Sequence, residues 1–205
     1  MKKWILLTLA TMTCFAQEIA DSKPKEEGFR SEPRELFKNS LGLGGSVVGG
    51  YGFYYRYWSD EGTGIQFMGM PLYNKDEYST EFLGNVGVQM MHSVFHKARS
   101  RDGLVDQYSI NSYFTYGATY EYEYSKYHQS YWGYEEEQNK KSTGRGGFGF
   151  GVELGYGHLL LDASLGYAAQ YSKNWNDPSS DYSFETFPHV ALQAGFLFGS
   201  KWGGN

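Results

Sequence analysis

Residues 109–127, SINSYFTYGATYEYEYSKY, place a large apolar side chain at nearly every second position. Asn, Thr and Glu occupy many of the positions between them. Side chains of a β-strand point alternately to the two faces of a sheet, so a period of two predicts a strand with one apolar and one polar face. An amphipathic helix would need a period near 3.6 residues, which this stretch lacks.

The same alternation recurs in most of seven consecutive segments between residues 46 and 198. The chain is rich in Gly (27), Tyr (19) and Phe (14), and aromatic residues favour strands. Strands separated by turn sequences predict an all-β, antiparallel up-and-down meander. Turns are predicted at 59–62, 74–77, 96–103 and 157–158, and longer loops at 128–144 and 172–183.

The N-terminal segment has a different composition. Residues 1–16, MKKWILLTLATMTCFA, combine two lysines, an apolar run and a small-residue end, which predicts a cleaved secretory signal peptide. Residues 17–40 are polar and predict a lead-in without sustained structure. Cys14 is the only cysteine, so cleavage would leave no thiol, disulfide or cysteine-based metal site. The formal charge of −5 becomes more negative without the leader, which disfavours nucleic acid as a partner.

The lysines indicate which face of the sheet meets water. A soluble barrel is apolar inside and needs charged groups along its outer face. Here the polar faces carry mainly Gly, Ser, Thr, Asn and Gln, while Lys97, Lys140, Lys141 and Lys173 fall in predicted turns or loops and Lys126 at a strand end. This pattern favours a narrow, filled polar lumen and an aromatic face turned to lipid. A soluble secreted barrel that binds an apolar ligand inside is the alternative.

Three stretches carry a resemblance: GGYGFYYRYW (49–58), GIQFMGMPLY (64–73) and the apolar closing strand that ends at Phe198. Over about residues 41–202 the chain resembles small bacterial outer-membrane β-barrel proteins. The resemblance implies a barrel domain over 41–205, an outer-membrane location, contact with outer-membrane lipid and with the barrel-assembly machinery, and a monomer. Because such barrels have an even number of strands, an eighth strand is expected within residues 29–45.

Ionisable residues on the polar faces are expected to pair across the lumen, because an eight-stranded barrel is only wide enough for side chains. The preferred pair is Arg56 with Glu153 or Asp162. A structural network is favoured over catalysis or a proton path, and conduction of solutes is not expected. The predicted lumen set is Arg56, Glu121, Glu123, Glu153, Asp162, Glu185 and His189.

The two longest predicted loops are the candidate recognition surfaces, since loops commonly carry binding residues. Their tryptophans can stack on sugars and their glutamates can bind divalent cations near lipopolysaccharide; the alternative is a pair of plain solvated loops. The predicted loop contacts are Trp132, Tyr134, Glu135, Glu136, Glu137, Trp175 and Asn176.

Catalytic and cofactor motifs are weak in this chain. GRGGFG (144–149) fits a dinucleotide fingerprint, but a strand rather than a helix is predicted to follow it. His92, Ser93 and His96 invite comparison with a membrane-embedded lipid-modifying enzyme, yet His92 and Ser93 are neighbours and should point to opposite faces. We therefore predict a protein that is not an enzyme, with no cofactor and no metal site.

Overall fold

The computed structural model describes residues 37–76, 78–99, 108–127, 137–176 and 183–199. These residues form eight antiparallel strands in a closed barrel, in which each strand pairs with the next along the chain and the last pairs with the first. This confirms the all-β up-and-down fold. The strands are β1 (Asn39–Ser46), β2 (Gly50–Trp58), β3 (Thr63–Lys75), β4 (Ser79–Arg99), β5 (Tyr108–Tyr127), β6 (Glu137–Tyr156), β7 (Leu159–Asn174) and β8 (Ser183–Phe198).

The first strand overlaps residues 29–45, where an eighth strand was expected because such barrels have an even number of strands. β1 begins at Asn39, two residues before the predicted start of the barrel at residue 41, and it pairs with both β2 and β8. The predicted signal peptide and most of the lead-in lie outside the described residues. None of the described residues forms a helix long and apolar enough to cross a membrane.

Three strands run further than their turn and loop sequences suggested. β4 continues to Arg99, through half of the turn predicted at 96–103, and Lys97 still pairs with Ile110. β6 begins at Glu137, inside the loop predicted at 128–144, and β7 ends at Asn174 rather than before Ser172. The predicted boundaries were wrong because polar residues at strand ends keep their backbone pairing as long as the neighbouring strand continues.

The two faces of the barrel are reversed relative to those of a soluble barrel. Outward side chains are apolar and exposed, with Phe53 at 62%, Phe150 at 64% and Leu192 at 65%. Inward side chains include charged groups that are buried, with Arg56 at 0% and Glu153 at 2%. Most rings therefore lie on the outside and the charged and polar groups lie in the lumen, as the alternation and the scarcity of lysine predicted. The soluble alternative, with an apolar interior, is not the fold observed.

The two ends of the barrel differ. The short-turn end carries the connections 59–62, 100–107 and 157–158, which include the two-residue turn, and the long-loop end carries the connections 76–78, 128–136 and 175–182. Two groups of buried apolar side chains fill the lumen towards the short-turn end. They are Phe37, Tyr54, Met68, Leu160 and Leu197 in one group, and Trp58, Met91 and Tyr113 in the other.

The β1–β2 hairpin is much shorter than the other hairpins, and its turn at 47–49 lies inside the barrel. Val48 is 1% exposed, and its carbonyl oxygen accepts a hydrogen bond of 2.5 Å from Thr119 Oγ1. The backbone N–H of Tyr51 donates to Asn85 Oδ1 at 3.0 Å. A Cβ at Gly87 would collide with the carbonyl oxygen of Gly49, so this close approach requires glycine. The turn therefore lies within the lumen, packed against β4 and β5.

We expect Gly87→Val to destabilise the barrel by about 1–3 kcal/mol, because the added side chain displaces the turn from a packed interior. Gly144→Val is the matched control, since a Cβ at Gly144 on β6 meets open space. Urea unfolding of the two variants in detergent measures the difference. Equal losses of stability would show that the contact between Gly87 and the turn is unimportant.

Candidate functional site

The centre of the lumen is organised around Arg56 on β2, whose guanidinium is completely buried. Its Nη1 donates to Glu153 Oε2 at 2.6 Å and to Asp162 Oδ2 at 2.9 Å. Its Nη2 donates to Gln193 Oε1 at 2.6 Å, and its Nε donates to Gln66 Oε1 at 2.7 Å. Both carboxylates named as alternative partners of Arg56 therefore contact it, and two glutamines use the remaining sides of its planar fork.

Further hydrogen bonds extend this cluster outward from the guanidinium. The hydroxyl of Tyr113 lies 2.7 and 2.8 Å from the two carboxylate oxygens of Asp162, and Trp58 Nε1 donates to Glu153 Oε2 at 3.1 Å. Gln66 Nε2 donates to Gln89 Oε1 at 3.0 Å. Every strand contributes at least one side chain, and besides Trp58 these are, in sequence order, Ser46, Arg56, Gln66, Gln89, Tyr113, Glu153, Asp162 and Gln193. We call these eight residues the cross-brace.

The cross-brace has the properties of a structural network. Its charges are buried and its donors and acceptors bond to one another, which is how polar groups become tolerable away from water. Because Arg56 reaches strands on the far side of the lumen, the cluster ties opposite walls together. The cross-brace and the inserted hairpin turn both place buried side chains or backbone within the lumen.

The other members of the predicted lumen set lie nearer the long-loop end. Arg145 Nη2 and Nη1 donate to Glu121 at 3.0 and 3.3 Å, and Arg145 Nε donates to Gln170 Oε1 at 2.8 Å. Glu123 and Glu185 are exposed, and they take part neither in the cross-brace nor in the Glu121–Arg145 pair. They lie beyond the β1–β2 turn, where the lumen is open to solvent.

His189 is the remaining member of that set. It is 4% exposed, and it takes no part in the hydrogen bonds of the cross-brace or of the Glu121–Arg145 pair.

Sequence reasoning missed the uncharged members of the cross-brace. Gln66, Gln89 and Gln193 lie on the inward faces of β3, β4 and β8, and Tyr113 lies on the inward face of β5. For the three glutamines the signal was a large polar side chain on the polar face of its own strand. A search restricted to ionisable residues passes over it.

The candidate hydrolase residues are not assembled. His92 faces outward and stacks on Tyr116, with ring centroids 5.8 Å apart. Ser93 faces inward, and its Oγ donates to Asn111 Oδ1 at 2.7 Å. A β-bulge between Ser93 and Phe95 then shifts the register, so His96 pairs with the buried Asn111 and faces inward. His92 and Ser93 therefore lie on opposite sides of the wall, and Ser93 and His96 face the lumen, so this set places no serine and histidine together on the lipid-facing surface where such chemistry would act.

The predicted loop contacts are only partly visible. Trp132, Tyr134, Glu135 and Glu136 lie outside the described residues, and Glu137 is the first residue of β6 rather than a loop residue. Trp175 and Asn176 directly follow β7.

Trp175 is 57% exposed but anchored at both its polar and its aromatic parts. Its Nε1 donates to Ser142 Oγ at 2.8 Å, and Lys173 Nζ lies 4.0 Å from the ring centroid. One face of the indole is thus covered by a cation. In the described ranges no group of three or more His, Cys, Asp or Glu side chains is arranged to hold a metal ion.

Comparisons with known proteins add little to this picture. No protein-family model matches the chain, and no curated protein matches it. Among solved structures, the chain is similar to a major outer membrane protein from Thermus thermophilus, with 14% sequence identity and a TM-score of 0.36. The match covers 78% of this chain and 98% of that one. A likeness this distant carries no functional argument, so the functional conclusions rest on the faces and contacts of the barrel itself.

Proposed function

We propose that this chain is an outer-membrane β-barrel without a catalytic site, which supports the cell envelope or presents its long-loop end to a ligand outside the cell. The observation that supports this most strongly is the reversal of the two faces. An exposed apolar surface around the whole barrel, wrapped about buried charges, is stable when hydrocarbon rather than water surrounds it.

The distribution of tyrosine supports the same proposal. Exposed tyrosines lie towards the short-turn end at Tyr57, Tyr108 and Tyr156. Others lie towards the long-loop end at Tyr73 and Tyr171. Between them leucine, valine and phenylalanine outnumber tyrosine, although Tyr116 and Tyr167 also lie there. Aromatic girdles on either side of an apolar band are typical of barrels that span a bilayer.

The closed lumen supports a role other than transport. The cross-brace and the turn at 47–49 occupy the interior, so the proposed protein does not act as a pore. Its long-loop end would face outward and its short-turn end the periplasm, since short turns are typical of the periplasmic side. On this proposal outer-membrane lipid surrounds the barrel, the assembly machinery reads its closing strand near Phe196 and Phe198, and the protein is a monomer.

Cell fractionation tests the proposal. Expressed in a bacterium that has an outer membrane, the full chain should sediment with that membrane. On an SDS gel the unheated protein should migrate differently from the heated protein, because a closed barrel resists the detergent until it is boiled. Recovery from the soluble periplasmic fraction, with no change of mobility on heating, would contradict the proposed location.

A further inference from the structure

The barrel wall has a gap at its long-loop end. β3 continues past Gly69, its last residue paired with β2, and β8 begins well before Leu192, its first residue paired with β1. In the ranges that the structure describes, these outer parts of β3 and β8 pair only with β4 and β7. With two strands missing, about three strand spacings, or about 14 Å, separate the two edges.

A proline lies on each edge of this gap. The eight strands contain two prolines, Pro71 on β3 and Pro188 on β8. Along a strand, the backbone N–H and C=O groups of successive residues point alternately to the two neighbouring strands. The Thr63 carbonyl of β3 points towards β2, and the Leu197 N–H of β8 points towards β7. By that alternation the nitrogens of both prolines point into the gap. A proline on a free edge offers no N–H for strand addition, so both edges are blocked against closure by another strand.

Behind the gap, inward-facing polar side chains of β5, β6 and β7 line the part of the lumen beyond the turn at 47–49, and we call this region the cup. Tyr51, Glu121, Arg145 and Gln170 are partly exposed there, and Thr143 and Ser172 are buried beside them. Glu121 and Arg145 are 17% and 19% exposed, so both are largely shielded yet still reachable from the cup. Glu121, Arg145 and Gln170 form a continuous row of planar polar groups, and Thr143 Oγ1 and Ser172 Oγ lie 3.2 Å apart beyond it.

We propose that this cup binds a neutral saccharide that enters through the gap between β3 and β8. A carboxylate, a guanidinium and an amide each present paired acceptors or donors in a plane, which matches the paired hydroxyl groups of a sugar ring. The charges of Glu121 and Arg145 cancel, so the row favours a neutral ligand over a free ion. The inference rests on the proposed function only in placing the cup outside the cell.

Titration calorimetry on the full chain, folded in detergent, tests this assignment. The probes are maltohexaose, cellohexaose and chitohexaose, with spermidine and inorganic phosphate as charged comparisons. At least one hexasaccharide should bind, and Gln170→Ala should weaken that binding about three- to tenfold through loss of a hydrogen-bonding group. Thr186→Ala is the matched control, since Thr186 is exposed on the outer face of β8 beside the gap and should leave binding unchanged.

The change of gel mobility on heating is recorded for every sample, so a lost barrel is distinguished from a lost site. If the folded protein binds none of the three sugars, or if Gln170→Ala binds them as well as the wild type, the saccharide site is overturned. Preferential binding of spermidine that is lost in Glu123→Gln or Glu185→Gln would assign the cup to cations and overturn it as well.

The prolines give an independent prediction. Replacing both Pro71 and Pro188 by threonine restores two edge N–H groups, and we expect the variant to self-associate through its open edges and to bind the sugar more weakly. Light scattering of the purified protein measures the first effect and calorimetry the second. A variant that stays monomeric and binds normally would show that the prolines do not keep the gap open.

Discussion

Replacing Arg56 by methionine will destabilise the barrel by about 3–5 kcal/mol, the cost typical of breaking a buried ion pair from one side. The substitution leaves Glu153 and Asp162 in a closed lumen without the guanidinium that contacts both at 2.6 and 2.9 Å. It also removes the hydrogen-bond donor to Gln66 Oε1 and Gln193 Oε1. The protein is unfolded with urea in detergent, and the loss of the gel band whose mobility changes on heating measures the change in the free energy of unfolding.

Two further variants decide whether buried charge is the cause. Combining Arg56→Met with Glu153→Gln and Asp162→Asn removes all three charges and should recover part of the lost stability, because replacing a whole buried ion cluster is much less costly than orphaning its members. Arg145→Met breaks a less buried pair near the long-loop end and should cost about 1 kcal/mol or less. If Arg56→Met loses no more stability than Arg145→Met, the cross-brace does not hold the barrel together.

Placing an arginine at Phe150 will cost about 2–4 kcal/mol when the protein folds into lipid vesicles, the range for a cation on the lipid face near the bilayer midplane. Phe150 is 64% exposed on β6 and packs edge-on against Phe114 of β5, at a ring-centroid distance of 5.2 Å. The folded fraction in vesicles, read from gel mobility across a urea series, gives the effect.

Thr186→Arg is the control for this prediction. Thr186 also faces outward, but it lies towards the long-loop end of β8, where the penalty for a cation should fall to about 0–1 kcal/mol. A barrel surrounded by water would show the opposite ranking, since exchanging an exposed phenylalanine for arginine favours solubility. Equal behaviour of Phe150→Arg and Thr186→Arg would therefore count against a lipid-facing surface.

The period of two carried most of what could be predicted about the fold. It assigned Phe53 and Tyr55 to one face and Arg56 to the other, and the small lumen of an eight-stranded barrel then restricted Arg56 to inward acidic partners. Local alternation sufficed for this because a strand reverses its side-chain direction at every residue, whatever its neighbours are.

The lengths of the strands and the stagger between them could not be predicted from local alternation. Lys97 and Lys141 look like turn or loop residues, yet both remain paired because β5 runs alongside them. The gap depends on β1 and β2 ending early relative to β3 and β8, which is a property of pairing between distant segments. Pro71 and Pro188 were the one local sign of the gap in the sequence. A proline within an alternating segment identifies an edge strand only when the neighbours of that strand are known.

The central claim is that hydrocarbon surrounds the apolar face, and a spin label at Leu192 tests it most directly. In a Cys14→Ser background, Leu192→Cys carries a nitroxide on the outer face of β8, where the native side chain is 65% exposed. In lipid vesicles we predict frequent collisions of the nitroxide with dissolved oxygen and few with a water-soluble nickel complex. Frequent collisions with the nickel complex, comparable to those of a label at Thr186→Cys, would contradict the claim.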